Sequence, residues 1–193
     1  MLYDVPFSSQ YEGVTDPAWQ YRGCGIVALK MVFDYWHGLD ARCATAPIGE
    51  LLSVGRSMGA YREGIGWIHS GLANIAKRYG YVSFNVDYAE RGPTPKSADE
   101  ALQALADELE RGPVLASVYS GLEPERGGGH IIVVTGFDSK LVAFNDPEET
   151  GAREGKKLIV LSRFLLAYKR RAIIVCAGDG IRTRDPFLDK EVL

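Results

Sequence analysis

Residues 130–147 read HIIVVTGFDSKLVAFNDP, two apolar runs on either side of Asp138-Ser139-Lys140. Runs of this kind around a short polar turn predict a β-hairpin. The hairpin constrains the chain more than any other stretch, because it dictates which distant residues meet. His130 begins the first strand and Asp146 ends the second, so both fall at the open end of the hairpin. Side chains alternate across a strand, so Asn145 points to the opposite face from Asp146. The glycine-rich loop GLEPERGGG runs directly into His130, which places that histidine where it can face a cleft.

A histidine beside a carboxylate is half of a nucleophilic site. The candidate for the other half lies in RGCGIVALKMVFDYW, residues 22–36. Val27, Met31 and Tyr35 recur at helical spacing with Ala28 and Val32 beside them, and Gly38 is the expected stop. Cys24 therefore opens a helix, where unpaired N–H groups and the macrodipole favour a thiolate. Gly23 and Gly25 are read as keeping bulk away from the sulfur, so that a substrate carbonyl reaches the thiolate and the local N–H groups together. The bland alternative is a buried cysteine acting as a small hydrophobe.

In the reactive reading His130 is the base and Asp146 fixes its tautomer and supports the imidazolium. The competing reading of Asn145-Asp146-Pro147 is a simple turn cap. His37 sits on the helix of Cys24, about 20 Å along it at 1.5 Å per residue, and cannot touch the thiol. His69 is read as a surface or packing residue of a later amphipathic helix. A second oxyanion donor would be a side-chain amide, for which Gln10 and Gln20 both stand as candidates.

The rest of the chain supplies a frame. Helices are expected over Ile48 to Met58, Trp67 to Tyr79, and from a Ser97/Glu100 capping box to about Leu109, with a short one near Ser162 to Tyr168. Strands are expected at Tyr81 to Tyr88, PVLASVYS, KKLIVL and RAIIVC. Helices gather early and strands late, which predicts an α+β fold with a helical part packed on an antiparallel sheet. Residues 1–177 are read as one domain. Residues 178–193 lose all periodicity and are read as a tail, either a polar terminus or a non-native extension.

Composition narrows the function. At 193 residues, 46% hydrophobic and 24% charged, the chain can bury a sizeable core, and its net charge of −3 gives no reason to expect nucleic acid as a partner. No apolar run reaches the length of a membrane span, and MLYDVPFSSQ has neither the basic nor the apolar region of a secretory signal. As written the chain is expected in the cytoplasm; a signal upstream of Met1 would instead make it secreted or cell-surface. Three cysteines without a C-x-x-C pair and three histidines without H-E-x-x-H spacing imply no metal, and no cofactor is expected. Cys43 and Cys176 are read as buried thiols, Trp19, Trp36 and Trp67 as core or cleft-wall aromatics, and Lys169-Arg170-Arg171 as a solvated connection.

Four pieces in order, DVPFSSQ, GCGIVALKMVFDYW, GGHIIVVTGFD and FNDP, resemble the C39-like peptidase family of bacteria, within the papain-like cysteine peptidase superfamily. The resemblance covers most of the chain from Tyr3 to about Cys176 and implies a papain-like fold. It makes Cys24 the nucleophile, His130 the general base, Asp146 its orienter and Gln10 the oxyanion glutamine, with Gln20 still open. The family usually has proline and a small residue after Cys-Gly, where this chain has Ile26 and Val27. Its best-known members cut after a double glycine in leader peptides and are fused to an exporter. Without membrane spans or a phosphate loop here, that substrate does not carry over. The expectation is a cysteine peptidase or amidase acting on a peptide or amide substrate. The same residues would also serve an acyltransferase, and a catalytically inactive papain-like binding module is the non-enzymatic alternative.

Overall fold

The computed structural model describes residues 2–178; residues 179–193, nearly all of the expected tail, lie outside the described residues. Two short helices, α1 (Gln10–Gly13) and α2 (Pro17–Gln20), precede the central helix α3 (Cys24–Leu39) and α4 (Ile48–Ser57). A two-residue ladder, β1 (Tyr61–Arg62) with β2 (Gly66–Trp67), leads into α5 (His69–Arg78), β3 (Val82–Asp87) and α6 (Ala98–Leu109). Then follow β4 (Val114–Val118), β5 (His130–Phe137), β6 (Leu141–Asn145), α7 (Ala152–Gly155), β7 (Lys156–Val160), α8 (Leu161–Ala167) and β8 (Tyr168–Cys176).

Among the described residues, six strands form one sheet in the order β3-β8-β4-β5-β6-β7, with every pairing antiparallel. The β5–β6 hairpin turns where expected, with a register shift between Val134 and Gly136. The fold is α+β as anticipated, with the N-terminal helical part on the sheet. The second sheet face is covered as well. Leu115, Ile131, Val133, Ile173 and Val175 pack with α3, α4 and α5. Their neighbours Ala116, Ile132, Val134, Ala172 and Ile174 pack with α6 and α8. Burial on both faces explains why these strands are unbroken apolar runs rather than alternating ones.

Helix α3 is the core of the first layer. Ile26, Leu29, Met31, Phe33 and Trp36 are fully buried, each contributing about 1.5–3 kcal/mol relative to exposure. The buried face is wider than the predicted stripe, since α4, α5 and the sheet surround the helix; Tyr35 is only half-buried. Trp36 also satisfies its indole by donating to Val175 O at 2.9 Å. Gly38 lies inside the helix, which ends where the Asp40 N–H bonds Trp36 O.

The helix predicted over Trp67 to Tyr79 begins two residues later. Gly64 and Gly66 take positive φ (76° and 97°), a region that disfavours other residues, and they turn the chain into the β1–β2 ladder. That turn lays Trp67 against the start of α3. The capping box at Ser97 and Glu100 forms as read, with α6 running to Leu109. No described helix is long and apolar enough to cross a membrane.

Candidate active site

Cys24 is the first residue of α3. Its preceding residue, Gly23, makes no side-chain cap, so the opening N–H groups of the helix are left without a side-chain acceptor. The thiol is partly exposed while His130 is almost fully covered. Both line a cleft of about 380 Å³.

The hairpin does what its pattern dictates. His130 opens β5, Asp146 follows β6, and Nε2 of His130 donates to Asp146 Oδ1 at 2.7 Å. The Cys24 side chain adjoins the imidazole closely enough to favour its charged form; with Nε2 engaged by Asp146, Nδ1 is the nitrogen left to face the thiol. Burial alone would push the His130 pKa down. The bond to Asp146, its negative charge and the adjoining Cys24 outweigh it, and the imidazole ends well above its ordinary value. Burial would likewise raise the Asp146 pKa, but the His130 bond and charge, the Glu148 N–H and Lys157 hold that carboxyl well below the usual range. The two directions agree: the pair favours an imidazolium against a carboxylate.

Asp146 is itself held from several sides. The Glu148 N–H donates to Oδ1 at 3.1 Å and the Lys157 ammonium lies 3.3 Å from Oδ2. Lys157, on β7, also pairs with Glu149. Nothing in KKLIVL marks this lysine, because a charged residue in an alternating strand reads as solvent-facing. Asn145 turns away, its amide donating to Val5 O at 3.1 Å.

The N-terminal segment is tied to the same corner. The Gln10 N–H donates to Pro147 O at 2.8 Å, and the Gln10 side chain is buried against the turn before Cys24. A Cβ on Gly23 would stand 3.2 Å from Gln10 Cβ and 2.9 Å from Val14 Cγ2. Gln10 Oε1 has no hydrogen-bond partner among the described residues. Gln20 is placed differently: its amide donates to Tyr11 O and Val14 O, both at 3.1 Å, and clamps the loop between α1 and α2. Gln10 and Asp146 do not line the cleft; Asp146 stands behind His130.

One wall of the cleft is aromatic, with Tyr21, Tyr61 and Trp67. Trp67 packs edge-on to Tyr61 with ring centroids 5.3 Å apart and donates its indole N–H to Arg22 O. The other wall carries His69, Lys169 and Arg171. His69 thus faces the cleft from the first residue of α5, and the basic run expected to be a solvated connection contributes two cleft residues. His37 is remote, its Nδ1 2.8 Å from Cys43 O. Cys43 is buried and Cys176 half-buried, and both are free.

His130, Asp146 and the exposed Glu148 bring donor atoms within 4.8 Å of one another. Nε2 of His130 is already engaged by Asp146, whose oxygens also take the Glu148 N–H and the Lys157 ammonium, so the set reads as a hydrogen-bonded relay rather than an ion cage.

The solved structures similar to this chain share its fold. A double-glycine-motif protease from an AMS/PCAT transporter, solved in complex with a leader peptide, matches with a TM-score of 0.59 at 17% identity, covering 92% of this chain and 94% of that one. The peptidase domain of Streptococcus ComA, a bi-functional ABC transporter involved in a quorum-sensing pathway, gives 0.57 at 17% identity, over 82% and 93%. A putative C39-like peptidase from Bacillus anthracis gives 0.61 at 16% identity, over 92% and 97%. These likenesses identify the α+β fold as that of papain-like C39 peptidase domains. No curated protein matches the chain. The model of the Peptidase_C39 like family matches residues 2–172, and over that span the chain belongs to this family of cysteine-type peptidases.

Proposed function

We propose that residues 1–177 act as one peptidase domain that hydrolyses a peptide bond through Cys24, His130 and Asp146, with Gln10 completing the oxyanion site. The observation that carries this reading is the position of His130, bonded through Nε2 to Asp146 and lining the same cleft as the partly exposed Cys24. The thiolate attacks the scissile carbonyl, and the carbonyl π pair moves to oxygen. That oxyanion is held by the N–H at the start of α3 and by the Gln10 amide. As the C–N bond breaks, His130 gives its proton to the leaving amine. Water, deprotonated by His130, then attacks the thioester and releases the acid, restoring the thiol and imidazole. Asp146 keeps the imidazolium oriented throughout.

Gln10 is favoured over Gln20 because the Gln20 amide is spent on two loop carbonyls, whereas Gln10 lies beside the turn that presents Cys24. A peptide substrate is supported by the similar protease whose structure holds a leader peptide. The test is turnover of a diverse peptide mixture read by mass spectrometry, for wild type, Cys24→Ala and His130→Ala. Cleavage by the wild type and its loss in both variants is expected. Full cleavage by Cys24→Ala would remove the proposal.

A further inference from the structure

We propose that the wall formed by Lys169, Arg171 and His69 binds a carboxylate carried by the leaving-group part of the substrate. This rests on the peptidase reading above and adds the substrate class.

The wall is an electrostatic exception in an acidic chain. The net charge is −3, yet no aspartate or glutamate lines the cleft, while Arg22, Lys169 and Arg171 do. Two of those cations are already matched. Arg22 pairs with Glu63 at 2.9 Å and Arg171 with Asp87 at 2.9 Å. Lys169 has no carboxylate partner among the described residues. Its ammonium donates to Gly128 O at 2.7 Å and lies 4.9 Å from the centre of the Tyr119 ring. Burial and the adjacent Arg171 both push the Lys169 pKa down, and burial with Arg171 does the same to His69. Cations are gathered here with too few anions, and an incoming carboxylate would relieve that imbalance.

The place of Lys169 says which part of the substrate would carry the charge. The ammonium bonds Gly128 O and lies 3.6 Å from where a Cβ on Gly129 would stand, so it sits beside the segment that presents His130. The leaving amine must also lie there, because His130 protonates it. A carboxylate on the departing segment therefore comes to Lys169. An acidic side chain just beyond the scissile bond and a free C-terminal carboxylate supply the same chemistry.

The first measurement needs no substrate. Rates of Cys24 alkylation by iodoacetate (anionic) and iodoacetamide (neutral) are read by mass spectrometry and normalised to a free thiol. In wild type the normalised ratio is expected to favour iodoacetate. It should fall about five-fold in Lys169→Met, stay high in Lys169→Arg, and collapse in wild type at high salt, as expected for one partly solvated unit charge. The salt titration requires no variant to fold.

Peptide pairs then separate the sources. A Glu-over-Gln preference beyond the cut, lost in Lys169→Met, assigns the side chain; a preference for free over amidated C-termini assigns the terminus. An iodoacetate-to-iodoacetamide ratio unchanged between wild type and Lys169→Met, with no preference in either peptide pair, overturns the proposal alone. A Cys24 inert to both reagents overturns the peptidase reading, and this proposal with it.

Discussion

Lys157 holds the oxygen of Asp146 that His130 leaves open: its ammonium is 3.3 Å from Oδ2, while His130 Nε2 is 2.7 Å from Oδ1. The carboxylate is thereby fixed in rotation as well as position. Lys157 is about one-third exposed, so water screens part of its effect. A charged hydrogen bond discounted in this way amounts to about 1 kcal/mol. Lys157→Met is therefore expected to lower kcat about five-fold with little change in KM. An equal loss with Lys157→Arg, which keeps the charge, would argue against a positioning role.

Asp146 governs the pH range. Burial favours neutral His130, and the Asp146 bond leads the effects that reverse it. With Asp146→Asn the imidazolium loses that support and deprotonates at lower pH. The alkaline limb of kcat/KM should move down by about one to three pH units. Stability responds with the opposite sign. The folded-state pKa of Asp146 is lowered, so its contribution is present above the unfolded value of about 3.9 and lost as pH falls through the folded value. Asp146→Asn should lack that acid-side loss, as read from urea midpoints between pH 5 and the folded value of about 2.

The meeting of His130 with Asp146 was legible because a tight turn and two apolar runs set the register of a hairpin. The opening of α3 at Cys24 was legible from its apolar spacing. What could not be read depends on contacts between distant segments. Trp67 was expected in a helix, yet Gly64 and Gly66 turn it into a ladder of two residues per strand, too short to show any period. His69 then falls at a helix start facing the cleft. Lys169 and Arg171 looked like a solvated run because strand β8 was expected to start later than Tyr168. The second covered face of the sheet follows from the unbroken apolar strands, whose meaning is clear only once α6 and α8 are seen against them.

Gln10 and Gln20 should separate cleanly. Gln10→Ala removes a proposed oxyanion donor and is expected to lower kcat by about 10²–10³ while leaving Cys24 alkylation by iodoacetamide near wild type. Gln20→Ala removes two hydrogen bonds to loop carbonyls. It should lower stability by about 1–3 kcal/mol, with kcat per folded molecule little changed. Urea unfolding and turnover measured on the same samples decide the matter, and the reverse pattern would transfer the oxyanion role to Gln20.

Gly25, next to Cys24, answers a packing constraint as well. A Cβ there would stand 2.7 Å from Trp67 Cγ, 2.8 Å from Cδ1 and 3.1 Å from Leu72 Cδ1. The indole is fixed in turn by its bond to Arg22 O and by the Tyr61 and Trp19 rings, so it has little room to withdraw. Gly25→Ala is then an overpacking substitution, expected to destabilise by about 1–3 kcal/mol and to displace the aromatic wall one residue from the nucleophile. A double-mutant cycle tests the cause. Trp67→Leu alone opens space and lowers stability. If the clash is with the indole, adding Gly25→Ala to Trp67→Leu should lower stability by much less than it does in wild type. Strictly additive losses would place the need for glycine elsewhere, at Leu72 or at the approach to the sulfur.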